Sequence, residues 1–330
     1  MGKRYKQLGL EDRDRITEMM AEGSNITEIA EALGRHKSTI SREVKRNSSP
    51  AYRLYLSHRA HERAVERKQE ANSRPRLKNE EIVRYVHSKL NLGWSPEQIS
   101  GRIGMDCAGL KISHEAIYQY IYDKETEDRE ELISYLRRGH KKRRRKGVNR
   151  KERRTKIPNR VSIEDRPLSV DSRSIFGHWE GDSLVSRKSS EALNTLAERK
   201  SRFVFITRLK RKTAEETANA VIERLSRLHD KARKTLTLDN GTENAYHEKI
   251  TETIATKCYF ARPYASWQRG TNENANGLIR WYLPKGTDFS KITDEELARI
   301  ESLINQRPRK CLGYKTPLEV ASSYGVALQG

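Results

Sequence analysis

The chain has 330 residues, room for roughly two or three domains, and carries 66 Lys and Arg against 45 Asp and Glu, a net charge of +21 at pH 7. That excess suits a polyanionic partner, because cationic side chains displace the counterions condensed on phosphates, although an acidic protein would be served by the same charge. No run of about 18 apolar residues exists to span a membrane, the start Met1-Gly-Lys-Arg lacks an apolar signal core, and Cys107, Cys258 and Cys311 are too scattered for a zinc or disulfide framework, so a reduced, cytoplasmic protein is expected.

In chain order, Glu11 to Ala21 predicts a helix with Ile16, Met19 and Met20 on one side. Gly23-Ser24-Asn25 stops it and offers a cap for the next helix, where Ile26, Ile29, Ala30 and Leu33 recur at helical spacing. After the turn Gly34-Arg35-His36, a third helix from Lys37 to Arg46 points Ile40 and Val44 inward. This is a helix-turn-helix pattern over residues 1–50. The outer face of its third helix shows Lys37, Ser38, Thr39, Ser41, Arg42, Lys45 and Arg46, donors for base edges and phosphates on a helix that fits the major groove. A plain three-helix bundle with a solvated charged face shares the pattern; the cationic bias and the turn glycine favour DNA.

Residues 51–78 read as a charged helical connector, helical from Ser57 to Ala71 and broken at Arg74-Pro75. A second helix-turn-helix-like domain follows over 79–136. Its helices run from Glu80 to Leu90, from the Ser95 cap with Pro96 at the first helical position, and from the Ser113 cap through Ile117 and Ile121. The exposed face offers Lys111, His114, Glu115 and Gln119. DNA contact, scaffolding and dimerisation suit it about equally. Residues 137–168 then read as a flexible basic linker: 13 of the 20 residues from Arg137 to Lys156 are Lys or Arg, densest at Lys141, Lys142, Arg143, Arg144, Arg145 and Lys146. Like charges at this density repel, and on DNA they neutralise phosphates without reading sequence.

From 169 to 330 an α/β domain is expected. Strands are predicted at 176–185, 192–198, 203–208, 235–238 and 257–260. Helices start at Thr213, near Glu248, at Glu273 and at Thr293, and a short one begins at Thr316-Pro317. Alternation sets His178, Glu180, Asp182 and Leu184 on one face of the first strand. Asp239 ends the fourth strand, and 33 residues separate it from Glu273 at the start of a helix. Three acids on rigid elements are suited to hard divalent cations, and two cations about 3.5–4 Å apart clamp the attacking and leaving oxygens of a phosphodiester. Singly, each acid has a plainer explanation: an Asx-turn for Asp239 beside Asn240-Gly241, helix-dipole preference for Glu273. Glu180 and Glu243 lie close by. Arg269 and Arg280 are placed to reach a phosphate. The loop residues Tyr264, Ser266 and Trp267 are placed to stack on a splayed base, and Arg307, Arg309 and Lys310 add cations near the end.

The ordered set Trp179-Glu-Gly-Asp182, Asp239-Asn-Gly241 and Asn272-Glu-Asn274 resembles the DDE signature of integrase-type catalytic cores. Its flanks, Ala261-Arg-Pro-Tyr-Ala-Ser-Trp-Gln-Arg-Gly270, Leu283-Pro-Lys-Gly286 and Asn305-Gln-Arg-Pro308, resemble the bacterial insertion-sequence-thirty family of transposases over nearly the whole chain. The resemblance implies a multidomain protein. Its all-α helix-turn-helix region would bind DNA through both motifs and precede an α/β ribonuclease-H-like core with a mixed five-stranded sheet. It implies Asp182, Asp239 and Glu273 as catalytic metal ligands for two Mg2+ ions, with Mn2+ as substitute. An Arg-x3-Glu-x6-basic pattern is met by Arg269, Glu273 and Arg280. The implied partners are double-stranded DNA, as terminal inverted repeats and target, and further copies of the chain in a homodimer or larger oligomer, at the bacterial nucleoid. The family commonly has Phe where this chain has Asn244, so the packing beside Asp239 is expected to differ.

Overall fold

The computed structural model of the chain describes residues 7–49, 54–73, 77, 79–136, 157–263 and 265–325. Contacts divide the chain into two compact units, Met1–Arg76 and Leu77–Gly330.

The first unit holds α1 (Leu10–Ala21), α2 (Ile26–Ala32), α3 (Lys37–Asn47) and α4 (Ser57–Ser73). Asn25 caps α2 by accepting from the amides of Thr27 and Glu28, while the Glu28 carboxylate accepts the Asn25 amide, a reciprocal cap that fixes where the helix begins. Ile16, Ile29 and Ile40 are fully buried between the helices, and Arg13 donates to Glu43 at 2.7 Å to tie α1 to α3. The expected connector is instead a fourth helix of this unit. Ala60 of α4 is fully buried, and Arg63 and Arg67 donate to the Asn47 carbonyl and side chain at the end of α3. Apolar side chains at helical spacing needed a partner, and α1 and α3 supply it.

The second unit begins with α5 (Glu80–Asn91), α6 (Pro96–Asp106), α7 (His114–Tyr122) and α8 (Arg129–Ser134), packed around Val86, Leu90, Ile99, Ile117 and Ile121. Its sheet contains β1 (His178–Val185), β2 (Ala192–Glu198), β3 (Val204–Leu209), β4 (Thr235–Leu238) and β5 (Lys257–Phe260) in the order β3-β2-β1-β4-β5. β1, β2 and β3 form an antiparallel meander, and β4 and β5 add in parallel, as expected for the ribonuclease-H-like class. Trp179, Leu196, Phe205 and Leu236 face α9 (Ala214–Ser226) and α10 (His247–Ile254); Leu193, Ala197, Val204 and Ile206 face α11 (Gly270–Tyr282) and α12 (Asp294–Asn305). Two helical layers therefore cover the sheet, and α13 (Pro317–Ser322) follows its Thr316 cap.

Residues 157–168, expected as part of a flexible linker, belong to the core. Ser162 bridges to Phe260 at the β5 edge, Ile163 is buried, and buried Arg166 donates to Thr237 at 2.9 Å. The basic run from Arg137 to Lys156 lies outside the described residues, including Lys141, Lys142, Arg143, Arg144, Arg145 and Lys146.

The four-helix module is joined to the carboxy-terminal segment of the same unit. Arg102 of α6 donates to both carboxylate oxygens of Glu319 on α13, and this drives the Glu319 carboxyl down to about 2. The Gln98 side chain donates to the Pro308 carbonyl at 2.6 Å and accepts from Arg307 at 2.9 Å. Two glycines let the surfaces close: a Cβ on Gly93 would lie 2.2 Å from the Trp281 ring, and one on Gly101 would lie 2.3 Å from the Tyr314 ring. Among the described residues, no helix is long and apolar enough to cross a membrane.

Candidate active site

Strand register brings the two aspartates together. In the parallel β1–β4 pair, His178, Trp179 and Glu180 face Thr235, Leu236 and Thr237. Carried two residues on, that register sets Asp182 beside Asp239, both on the α11 side because strand side chains alternate. Gly181 between Glu180 and Asp182 leaves space that a Cβ would lose, 2.8 Å from Leu238.

One guanidinium spans the pair. Arg269 approaches Asp182 at 3.5 Å and Asp239 at 3.4 Å, and donates to the Gly181 carbonyl at 3.0 Å. Burial raises the Asp182 carboxyl above its ordinary value; Arg269 opposes that shift and the charge of Asp239 adds to it. Two like charges held this closely are suited to a cation. Arg269, expected to reach a phosphate, instead bridges the two acids.

Each aspartate is also oriented by amides. Asn276 of α11 donates to Asp182 at 2.7 Å, and its own oxygen accepts from Thr195, which stands opposite Asp182 on β2. Asp239 does form the Asx-turn, accepting the Gly241 amide at 3.0 Å. Buried Asn244 donates to the same carboxylate at 2.8 Å and to the Asp239 carbonyl at 3.2 Å. A Phe at that position would make neither bond.

The neighbouring glutamates are structural. Glu180 is fully buried, paired with Arg199 at 2.5 Å, and it accepts the Asn272 amide in the first turn of α11. Glu243 is buried against Lys212. Neither was distinguishable from Asp182 or Asp239 by residue type; strand register and burial separate them.

Glu273 is not gathered with the aspartates. It is exposed in the first turn of α11, while Asn272 and Asn276 take the sheet-facing side. Although only three residues apart on α11, Glu273 lies at the exposed rim and Asn276 in the buried interior. Among the described residues, no three carboxylate, imidazole or thiol groups converge on a position for one metal ion. Oxygen donors from two close carboxylates fit a hard divalent cation; the third ligand is not in place. Arg280 is also displaced from expectation. It donates to the Val185 carbonyl at 2.9 Å and lies over the Phe289 ring, fixing the end of α11 to the end of β1.

The DNA-facing expectations fall on accessible surfaces. On α3, Lys37, Ser41, Arg42, Lys45 and Arg46 are exposed, Ser38 and Thr39 are half-buried, and Arg42 donates to Ser38. His114 and Gln119 are exposed on α7, with Lys111 exposed just before it. Trp267 is 75% exposed, two residues before Arg269; Tyr264 lies outside the described residues.

The helix-turn-helix domain family matches residues 4–47. The chain is 41% identical over 329 residues to the transposase InsI for insertion sequence element IS30A of Escherichia coli (strain K12), covering 97% of this chain and 84% of that one. It is 37% identical over 314 residues to the transposase for insertion sequence element IS4351 of Bacteroides fragilis, with 95% of each chain covered. The crystal structure of the catalytic core domain of BIV integrase aligns with 44% of this chain and 93% of that one, at 20% identity and a TM-score of 0.37.

Proposed function

The chain belongs to the insertion-sequence-thirty family of bacterial transposases, and from that premise we propose which of its residues carry out DNA cleavage and strand transfer. The observation that carries the proposal is the paired Asp182 and Asp239, aligned by the β1–β4 register and held by Asn276 and Asn244.

In this reading the two helix-turn-helix regions hold the terminal inverted repeats of the element. The α3 face, Lys37 to Arg46, supplies the base and phosphate contacts. The face of Lys111, His114 and Gln119 supplies a second set, and the run Lys141 to Lys146 neutralises backbone charge. Asp182 and Asp239 would hold a divalent cation, Mg2+ or its substitute Mn2+, with Glu273 as the proposed third ligand of a two-ion site. Bound there, the ions would supply an acidified water and charge stabilisation for the transferring phosphoryl group. The chain's own residues position the rest. The asparagines keep the carboxylates aimed, Arg269 balances their charge until DNA arrives, and Trp267 stacks on a base opened at the element's end. Positioning and electrostatics dominate both steps: release of a 3′-hydroxyl, then its in-line attack on target DNA. A homodimer or larger assembly brings two ends together, at the bacterial nucleoid.

Cleavage and strand transfer of DNA carrying the element's ends, with Mg2+, test this. Asp182→Asn and Asp239→Asn are expected to lose about a thousandfold or more in rate, and Glu273→Gln a comparable amount, while end binding stays intact. Wild-type rates in either aspartate variant, or binding without cleavage in the native chain, overturn the assignment.

A further inference from the structure

A cleft of about 1,100 Å3 separates the four-helix module from the catalytic sheet within the second unit. One side is α11 itself, through Gly270, Thr271 and Asn274, the turns that lead from Arg269 to Asn276. The other side presents Tyr118 and Tyr122 of α7 and Tyr135 beyond α8. The cleft therefore opens along the same helix that orients Asp182.

Its lining is cationic. Arg173, Arg202, Arg309 and Lys310 all border it, and the one acid among the described lining residues, Glu97, is already paired with Lys310 at 2.7 Å. Arg202 donates to the Thr271 hydroxyl at 2.9 Å, which places its guanidinium against the first turn of α11. Arg173 is exposed; burial around its guanidinium, then the charges of Arg202 and Arg199, press its proton affinity below the ordinary arginine range. Like charges crowded at one wall favour an anionic occupant. The Tyr118 and Tyr122 rings lie parallel, 6.4 Å between centroids and 8° between planes. A charged wall facing aromatic rings matches the way single strands are held, phosphates on cations and bases on rings. A duplex keeps its bases paired and stacked inside, whereas unpaired bases are free to lie against the rings.

We propose that this cleft binds a few nucleotides of single-stranded DNA, with phosphates against Arg173 and Arg202 and bases against Tyr118 and Tyr122, and so leads an unpaired strand along α11 to the aspartates. The proposal rests on the reading that the chain acts on DNA, and it adds a binding site that the aspartates and the helix-turn-helix faces do not provide.

The native cysteines give the test. Cys311 is exposed and lines the cleft, Cys107 is half-buried on α6's far end, and Cys258 is buried in the core. In full-length protein without divalent cations, maleimide labelling is followed at each cysteine by mass spectrometry. A ten-nucleotide single strand is expected to slow labelling of Cys311 by about tenfold, from base stacking of the usual strength, and to leave Cys107 unchanged. A duplex of the same length is expected to leave Cys311 unprotected. In Arg173→Ala, protection needs several-fold more single strand, and the slope of log affinity against log salt falls by about 0.7, the share of one phosphate contact on a single strand. Absence of single-strand protection, equal protection by duplex, or an unchanged salt slope overturns the proposal. The readout needs no catalysis, so its failure leaves the cleavage test standing, and failed cleavage leaves this one standing.

Discussion

At the scale of single residues, Asn244 and His178 make the sharpest expectations. Asn244 holds the Asp239 carboxylate and carbonyl through one amide group. Hydrogen bonds to a charged group are worth about 1.5–3 kcal/mol, so Asn244→Ala is expected to slow single-turnover cleavage by roughly 10- to 100-fold. Higher Mg2+ should recover part of the loss, since the carboxylate is misplaced rather than removed; a loss unaffected by Mg2+ would count against this role. His178 is buried in β1 with its Nδ1 2.9 Å from the Thr235 hydroxyl. Burial, followed by Lys234, Arg199 and Arg166, pushes its pKa from 6.5 down to about 4. Its folded-state pKa is depressed, so its contribution is fully present above pH 6.5 and is lost as pH falls toward 4, while the unfolded chain takes up the proton first. Urea unfolding of the second unit should therefore lose about 1.4 kcal/mol per pH unit across that window from this group, and His178→Gln should remove that part of the slope.

At the scale of elements, local chemistry was legible and side-chain partnership was not. Ser95, Ser113, Thr213, Thr293 and Thr316 each cap the helix expected from sequence, because a cap depends only on residues three apart. The five strands fall within two residues of expectation for the same reason: alternation and turn residues are local. Arg269 between the aspartates, Arg199 under Glu180 and Arg280 on Val185 depend on contacts across 19 to 95 residues, and helical spacing tells which side chains share a face but not what that face meets. The Asp182 and Asp239 candidates came from motif order; that Asn276 and Asn244 orient them came only from the fold. Packing of the helical module against the carboxy-terminal segment was equally hidden, and Gly93 tests it. Gly93 adopts a left-handed φ of +79° with the Trp281 ring against it. Gly93→Ala combines that backbone penalty with overpacking, expected to destabilise the second unit by on the order of 2 kcal/mol or more in chemical denaturation. A change within experimental error would show that the junction yields easily.

At the scale of the molecule, two units with separate cores predict two unfolding events. The first unit closes its own core around Ile16, Ile29 and Ile40, with α4 completing it. A fragment of residues 1–76 should melt within a few degrees of the matching transition in the full chain by circular dichroism, and Gly93→Ala should move only the other transition. A single merged transition that Gly93→Ala shifts as a whole would contradict the division. The second unit is different, because Arg102, Gln98, Gly93 and Gly101 fasten α6 and its neighbours to the segment that closes the catalytic sheet. On the proposed reading, in which α7 contacts DNA, a helix fastened in this way to the catalytic segment acts as a gauge. The bond presented for scission then sits at a set count of base pairs from whatever α7 grasps. Inserting about five base pairs, half of a ~10.5-base-pair turn, would swing that bond to the far side of the duplex, and a full-turn insertion would restore its phase but leave it out of reach.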